Sequence, residues 1–183
     1  MLISSRLIVA LLCLAFASTS FAQKFYASEN KDDGIEARKT MRFEDYHAPT
    51  PLTVPGAKTV FTEELYKLLQ SDKKPLLIDV LGGGNHQTPV GALWWAGAGL
   101  SYKGASANAD QQAKFAKRLD EVTAGDKAKP IAFYCLSQMC WLSYNASLRA
   151  VEAGYTNVLW YRGGIESWKA AGNAMVDSGP SKY

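Results

Sequence analysis

The sequence predicts an α/β domain in which a five-stranded parallel sheet is covered by helices on both faces. Two observations lead to this fold class. Short apolar segments rich in β-branched and aromatic residues recur between residues 59 and 161, and segments with helical periodicity lie between them. Strands that alternate with helices are joined by crossovers, which place helices on both faces of a parallel sheet.

Five segments have the length and composition of buried strands. They are residues 59–61, 76–80, 90–95, 131–134 and 157–161. Open parallel sheets bind ligands beyond the carboxyl ends of their strands. The residues that follow the second, fourth and fifth segments are therefore expected to share one functional edge.

Four helices are predicted around these strands. Thr62 is expected to cap the first, because acidic residues follow it in the first turn. The second covers residues 108–122. The third begins near Trp141, where apolar residues recur on one helix face, and Gly154 predicts its end. The last follows residue 164 and is ended by Gly172.

The first 22 residues have the three parts of a secretory signal peptide. Arg6 provides the positive region, residues 7–17 the apolar core, and the small residues ending at Ala22 the cleavage site. Cys13 lies inside the apolar core and lacks the small neighbours of a lipid-anchoring site. We therefore expect cleavage after Ala22 and a periplasmic protein without stable membrane insertion.

The rest of the chain divides into three parts. Residues 23–57 form a polar, proline-containing extension, expected to lie on the domain surface or to be partly disordered. The domain itself covers residues 58–174, and 175–183 form a C-terminal tail. Without Arg6 the chain has 19 basic and 17 acidic residues, a net charge of +2 with no dense basic patch. This composition argues against nucleic acid as a partner.

The fourth strand delivers a cysteine into a tight loop. Cys135 follows the strand, and the loop leads to Cys140 at the start of the third helix; the residues between them are Leu136, Ser137, Gln138 and Met139. Backbone N–H groups of such a loop and of a first helical turn favour a negative sulfur, so these four loop residues are candidates for binding the substrate. A purely structural disulfide between the two cysteines is the alternative.

Five short motifs match a known family. They are LIDV at 77–80, PVGA at 89–92, the Tyr134-Cys135 pair, GYTNV at 154–158 and GGIESW at 163–168. Together they resemble a single rhodanese-like domain over roughly residues 59–172, with Cys135 where that family keeps its catalytic cysteine. The Cys140-Trp141 pair is similar to an exported subgroup associated with quinone-dependent (PQQ) alcohol catabolism.

The resemblance implies sulfur transfer without a metal or organic cofactor. The Cys135 thiolate would take the outer sulfur of a donor such as thiosulfate and pass it from a persulfide to a nucleophilic acceptor. Cys140 would be a second catalytic cysteine. It could attack the persulfide and close a disulfide, provided that the two Cα atoms lie within about 7 Å.

The sequence departs from the family at the positions that bind an anionic donor. Cys140 stands where the usual loop ends in a basic residue, and Leu81 stands where an arginine often follows the second strand. Arg162 is a candidate replacement, with a surface arginine as the alternative. His86 could overhang the pocket or be a solvated loop residue, and Asp79 is expected to be structural.

Three functions fit these residues. The first is an exported sulfurtransferase whose partner is a small sulfur-donor anion or a protein thiol. The second is thiol–disulfide exchange through Cys135 and Cys140. The third is a non-catalytic module that binds Cu(I) through the two cysteines and Met139, or that docks on a periplasmic dehydrogenase. The resemblance favours the first.

Overall fold

A computed structural model describes residues 23–183, so the predicted signal peptide lies outside the described residues. Within these residues, seven strands and four helices follow one another. The strands are β1 (Lys58–Val60), β2 (Leu76–Asp79), β3 (Gln87–Pro89), β4 (Leu93–Trp94), β5 (Ile131–Tyr134), β6 (Val158–Tyr161) and β7 (Met175–Asp177). The helices are α1 (Thr62–Leu69), α2 (Ala105–Thr123), α3 (Trp141–Glu152) and α4 (Gly164–Ala170).

Five of the strands form one parallel sheet in the order β1-β6-β5-β2-β4. β5 lies at its centre, where Phe133 pairs with Ile78 of β2 and with Trp160 of β6. All four residues of β5 are fully buried, as expected for a strand covered on both faces. The predicted fold class is confirmed.

Alternate residues of β5 belong to two different hydrophobic clusters. Ile131 and Phe133 pack with apolar residues of α2 and α3. Ala132 and Tyr134 pack with apolar residues of α1 and α4. Helices therefore cover both faces of the sheet, and the α3 face is the one on which the cysteines lie.

The third predicted strand is the least accurate of the five. Only Leu93–Trp94 of the predicted segment 90–95 joins the sheet, as its edge strand β4. Gly91 has a φ of +84° in a turn that interrupts the segment. β3, just before that turn, pairs antiparallel with β7 in a separate two-stranded sheet, so part of the expected tail forms regular structure.

The extension before β1 lies along the domain, and we call residues 24–57 the strap. Its backbone is bonded to α3 at two places. The N–H and C=O of Arg38 both bond to the Tyr144 hydroxyl, at 2.8 and 2.7 Å. The N–H and C=O of Arg42 both bond to the side-chain amide of Asn145, at 3.0 and 2.7 Å. Tertiary contacts therefore order a segment that has no helical or strand periodicity of its own.

The strap also caps α1, a role that the sequence assigned to Thr62. That assignment is wrong, because Phe61 occupies the N-cap position and makes no side-chain cap bond. Instead Oε2 of the buried Glu29 accepts hydrogen bonds from the Thr62 N–H at 3.0 Å and from the Thr62 hydroxyl at 2.7 Å. A carboxylate of the strap thus accepts a hydrogen bond from a backbone N–H that has no partner within the helix.

The stabilising contribution of Glu29 is expected to depend on pH. Burial raises the pKa of Glu29 above 4.5, the charge of Glu63 adds to this, and the hydrogen bonds from Thr62 and Tyr26 oppose it. A carboxyl whose folded pKa is raised stabilises the fold below its unfolded pKa, and this contribution is lost as pH rises through the folded pKa. The unfolding free energy of the wild type minus that of Glu29→Gln should therefore decrease from pH 4.5 to about pH 7.

Urea unfolding of both proteins at several pH values measures this difference, and Glu166→Gln, at an exposed position, is the matched control. A difference that increases with pH would contradict the prediction.

The C-terminal residues pack against the sheet edge. The Tyr183 ring stacks on the buried Trp95 ring with centroids 5.8 Å apart, and the Lys182 N–H donates to the Trp94 carbonyl at 2.8 Å. None of the helices within residues 23–183 combines the length and the apolar character needed to cross a membrane.

Candidate active site

Cys135 and Cys140 are joined by a disulfide bond at the carboxyl end of the central strand. Cys135 follows β5 directly and Cys140 precedes α3, and their Cα atoms lie 6.4 Å apart. This separation is inside the range that a disulfide spans. Cys135 is 1% exposed and Cys140 is 6% exposed. Neither sulfur therefore meets solvent freely in this state.

The first turn of α4 holds the beginning of the cysteine loop. The N–H groups of Ile165 and Glu166 donate to the carbonyls of Cys135 and Leu136 at 2.9 and 3.0 Å. Gly164 has a φ of +62°, and a Cβ there would overlap the same two carbonyls. The adjacent glycines of the GGIESW motif therefore allow α4 to approach the loop this closely.

The strap covers the other side of the loop. Ala48 and Thr50 donate their N–H groups to the carbonyls of Met139 and Gln138 at 2.8 and 3.2 Å, and His47 forms a β-bridge with Cys140. The amino-acid composition of the strap gives no indication of this contact with the cysteine loop. The strap is the lid of the cysteine pair.

The backbone amides of the loop divide into two groups. The N–H of Cys140 donates to the Ser137 carbonyl at 3.0 Å, and the N–H of Trp141 donates to Tyr46 of the strap at 2.9 Å. Of the first helical turn, the Trp141 N–H is therefore taken by the strap and is not available to the sulfur. The amides of residues 136–138 make no hydrogen bond within the described part of the chain, so they remain as donors for an anion.

The four loop residues proposed to bind substrate are only partly accessible. Ser137 is buried and its hydroxyl faces the Met139 N–H at 3.4 Å, while Leu136, Gln138 and Met139 are half-buried. The side-chain oxygen of Gln138 is buried without a partner among residues 23–183. The loop therefore contains one unpaired acceptor as well as three amide donors.

Ser143 is a site residue that the sequence reasoning missed. Its hydroxyl oxygen lies 3.5 Å from Cys135 Sγ and accepts a hydrogen bond from the Trp160 indole N–H at 3.0 Å. The Ser143 oxygen therefore accepts from the indole, and the Ser143 hydroxyl proton is free to be donated. It can go to Cys135 Sγ or to the Cys140 carbonyl, 3.4 Å away. A hydroxyl in this place can donate to a Cys135 thiolate. Helical periodicity alone gives Ser143 no distinguishing signal.

Arg162 is an anchor of the strap in this structure. It is 1% exposed, and its guanidinium donates to the carbonyls of Glu29, Thr50 and Pro51 at 2.6, 2.9 and 2.9 Å and to the Thr50 hydroxyl at 3.2 Å. Burial lowers the pKa of Arg162 below its ordinary value. Since its donors are taken by the strap, the guanidinium does not face the cysteine loop as a substrate clamp.

His86, the other predicted pocket residue, contacts the end of β2. Its Nε2 lies 2.7 Å from Asp79 Oδ2, and its Nδ1 lies 3.1 Å from the Gly84 carbonyl. Asp79 is fully buried and also accepts hydrogen bonds from the Leu81 N–H at 2.9 Å and from the Thr88 hydroxyl at 2.6 Å. This network fixes the loop after β2, which agrees with a structural role for Asp79.

The same network reaches the strand that carries Cys135. The Thr88 hydroxyl lies 2.6 Å from the hydroxyl of Tyr134, the residue before Cys135. Burial and the neighbouring Asp79 charge raise the pKa of Tyr134 well above its ordinary value, so it stays a neutral phenol. Tyr134 therefore ties β5 to the β2 loop without contributing a charge.

The disulfide also bears on the Cu(I) hypothesis. Copper(I) needs thiolate or thioether sulfur, and both cysteine sulfurs are bonded to each other here. Among residues 23–183 no group of three or more His, Cys, Asp or Glu side chains is arranged to bind a metal ion. Cu(I) binding would require the reduced pair.

Comparison with known proteins places this geometry in a family. A family model described as a rhodanese-like domain matches residues 22–171 and so includes the strap as well as the sheet. No significant match to a curated protein was found. Among solved structures, the chain is similar to a thiosulfate sulfurtransferase from Pseudomonas aeruginosa, with 19% identity, a TM-score of 0.47, and coverage of 68% of this chain and 21% of that one.

A second similar structure is a polysulfide-sulfur transferase homodimer from Wolinella succinogenes. Its identity is 17% and its TM-score 0.46, and the match covers 70% of this chain and 84% of that one. Of the first structure, the Pseudomonas sulfurtransferase, this chain spans only about a fifth of the length. With most of its length matched by the family model, the chain belongs to the rhodanese-like family.

Proposed function

We propose that this protein is a sulfurtransferase in which Cys135 carries sulfur as a persulfide, and in which Cys140 can displace that sulfur as hydrosulfide and so close a disulfide. The observation that supports this most directly is the Cys135–Cys140 bond at the carboxyl end of the central strand of a rhodanese-like domain. Both cysteines lie at the carboxyl edge of the sheet, where open parallel sheets bind their ligands. A second thiol that is close enough to bond to the first can act as a resolving cysteine.

The reaction begins from the reduced pair. An external thiol first reduces the disulfide, and the Cys135 thiolate then attacks the outer sulfur of a donor such as thiosulfate. A bond forms between Cys135 Sγ and that sulfur, and the donor's S–S bond breaks with its electron pair, releasing sulfite. A nucleophilic acceptor can then take the outer sulfur and return Cys135 as a thiolate.

Cys140 provides a second way to end the cycle. Its thiolate attacks Cys135 Sγ in the persulfide, releases hydrosulfide and forms the Cys135–Cys140 disulfide. The Cα separation of 6.4 Å permits this bond without a large rearrangement of the loop. Release of hydrosulfide in this way consumes the two electrons that the external thiol supplied.

The surroundings of Cys135 suit both anionic sulfur species. The Ser143 hydroxyl is positioned to donate to a thiolate, and the amides of residues 136–138 are available to the outer sulfur of a persulfide. Both cysteines are nearly fully buried, so a donor reaches Cys135 only when the residues that cover it move.

Thiol–disulfide exchange is a second candidate, favoured by the oxidised state of the pair in the structure. In that case Cys135 and Cys140 would pass two electrons to or from a protein dithiol, and no sulfur atom would be transferred. The two candidates differ in one measurable quantity, the mass of the protein after it has met a sulfur donor.

Intact mass spectrometry of the reduced protein, before and after thiosulfate, tests the proposal. Cys140→Ser should gain one sulfur atom and keep it, because the resolving thiol is missing, while Cys135→Ser should gain none. The wild type should release hydrosulfide and lose two hydrogens. If Cys140→Ser gains no sulfur from thiosulfate or polysulfide while the wild type still cycles between dithiol and disulfide, sulfur transfer is refuted and exchange is supported.

The location and partners belong to the same proposal. The signal-like sequence of residues 1–22 supports export to the periplasm, where a small sulfur-donor anion or a protein thiol would meet Cys135. The Cys140-Trp141 pair supports membership of the exported subgroup and a periplasmic dehydrogenase as its client. Detection of a form beginning at Gln23 in the periplasmic fraction tests the export step.

A further inference from the structure

A groove beside the candidate active site contains two arginines that lie on the same tryptophan ring. The Cζ atoms of Arg38 and Arg42 are 4.7 and 5.2 Å from the ring centroid of Trp141. The groove has a volume of about 500 Å³, and strap residues 34–38, 48 and 49 form the rest of its lining. The two guanidinium carbons are thus no farther apart than the sum of those two distances.

Neither guanidinium has a carboxylate partner in the part of the chain that the structure describes. Within residues 23–183, no Asp or Glu oxygen lies within 4.0 Å of Arg38 or Arg42, and the only guanidinium hydrogen bond of the two is from Arg42 Nε to the Glu44 carbonyl at 2.8 Å. The carboxylate of Glu36, which also lines the groove, makes no ion pair with either. Most of the donors of both groups therefore point to solvent or to a ligand.

The backbone under both arginines is fixed. Tyr144 bonds to the N–H and C=O of Arg38, and Asn145 bonds to the N–H and C=O of Arg42. The Trp141 ring packs against the Tyr144 ring, with centroids 4.8 Å apart, and Trp141 is 1% exposed. Two guanidinium groups that contact one ring and extend from a fixed backbone lose less conformational entropy than free side chains when they bind an anion.

The groove and the cysteine loop share their structural elements. Trp141 directly follows Cys140, and its indole N–H donates to the carbonyl of Pro49 at 3.0 Å. Ala48, which also lines the groove, donates its N–H to Met139 of the loop at 2.8 Å. A ligand bound at the two arginines therefore contacts the part of the strap that is hydrogen-bonded to the cysteine loop.

We infer that this groove binds the oxyanion group, sulfonate or carboxylate, of the sulfur-bearing molecule that reacts with Cys135. The inference rests on the proposed function. The cysteine loop contains no positive charge, and Arg162 is engaged by the strap, so the loop itself offers no cationic group to an anionic substrate. Arg38 and Arg42 provide that charge from the strap, and guanidinium–oxyanion hydrogen bonds are strong and directional.

Thiosulfate binding to a protein that cannot react tests the sulfonate form. The affinity of Cys135→Ser/Cys140→Ser for thiosulfate is measured by calorimetry, with Arg38→Gln/Arg42→Gln added in a second variant. We expect the added changes to weaken binding about tenfold or more, as loss of charge-assisted hydrogen bonds does. Arg118→Gln is the matched control, because Arg118 is paired with Glu121 outside the groove, and it should leave the affinity unchanged.

Reduction of the disulfide tests the carboxylate form and does not require sulfur transfer. The wild type should be reduced faster by 3-mercaptopropionate than by the uncharged 2-mercaptoethanol, and Arg38→Gln/Arg42→Gln should lose this preference. Arg38→Lys/Arg42→Lys keeps both charges and should keep part of it, which separates the loss of charge from a loosened strap.

The outcomes distinguish the two proposals. If thiosulfate converts Cys135 to a persulfide in Arg38→Gln/Arg42→Gln with an unchanged KM, and both thiols reduce that variant as they reduce the wild type, the groove proposal is overturned while sulfur transfer stands. If the arginine changes remove binding and the preference for the anionic thiol, but Cys135 never gains sulfur, the groove stands and sulfur transfer fails.

Discussion

Replacing Arg162 by methionine is expected to lower the free energy of unfolding by about 3 kcal/mol and to open the strap. The buried guanidinium bonds to three strap carbonyls and to the Thr50 hydroxyl. Methionine has a similar length but no donor, so these oxygens lose their partners and the strap loses its main polar anchor. Because the strap covers the cysteines, the disulfide of Arg162→Met should also be reduced faster by an external thiol.

Urea unfolding and the rate of disulfide reduction check the two parts of this prediction. Arg118→Met is the matched control, because the Arg118 side chain is 32% exposed and pairs with Glu121 on the surface. Exposed pairs of this kind contribute about 1 kcal/mol or less. If Arg162→Met is as stable as Arg118→Met and its disulfide is reduced no faster, Arg162 does not anchor the lid.

Replacing Asp79 by alanine is expected to cost about 3 kcal/mol or more. The carboxylate is fully buried and accepts hydrogen bonds from the Leu81 amide and the Thr88 hydroxyl, with His86 2.7 Å away. Alanine leaves all three groups without that partner. The loop after β2 and the adjacent β3–β7 pair should loosen first, because His86 and Thr88 join them to the strand end.

Chemical denaturation measures the loss, and hydrogen exchange of residues 81–89 shows where it occurs. Asp79→Asn keeps one oxygen acceptor and should be affected less than Asp79→Ala. Asp110→Ala, at an exposed position of α2, should change stability by no more than about 0.5 kcal/mol. Equal losses in Asp79→Ala and Asp110→Ala would show that the buried network contributes nothing to stability.

The parts of the fold that depend on local sequence could be predicted. The segments 76–80, 131–134 and 157–161 correspond to β2, β5 and β6 within one residue at either end. A short apolar segment can be recognised as a buried strand from its own residues, without knowledge of its distant neighbours. Gly154, with a φ of +86°, ends α3 as expected, because a left-handed residue after a helix is itself a local signal.

The strap could not be predicted, because its order comes from residues far along the chain. Nothing in the polar sequence around Glu29 or Thr50 indicates that their backbone carbonyls bond to Arg162, 133 and 112 residues away. The role of Arg162 as an anchor of the strap could not be predicted for the same reason. The local pattern places Arg162 after β6 but does not indicate its partners.

The cysteine pair is an intermediate case. The placement of Cys135 after a buried strand and of Cys140 before a helix follows from local patterns, and the structure agrees with both. Whether the two sulfurs can bond depends on a Cα separation that only the folded backbone determines. Ser143 and Trp160 lie on α3 and β6, so their proximity to the sulfur depends on how the helix packs on the sheet.

The strap has a consequence for the order in which the molecule assembles. It is made early in synthesis, yet its partners Trp141, Asn145 and Arg162 lie 92, 103 and 133 residues downstream. Contacts between residues so distant in sequence form late, because the intervening chain must be ordered first. The sheet and α3 can therefore form while the strap is still undocked. During that interval both cysteines are open to oxidants and disulfide-exchange catalysts, and docking of the strap then protects the bond that has formed.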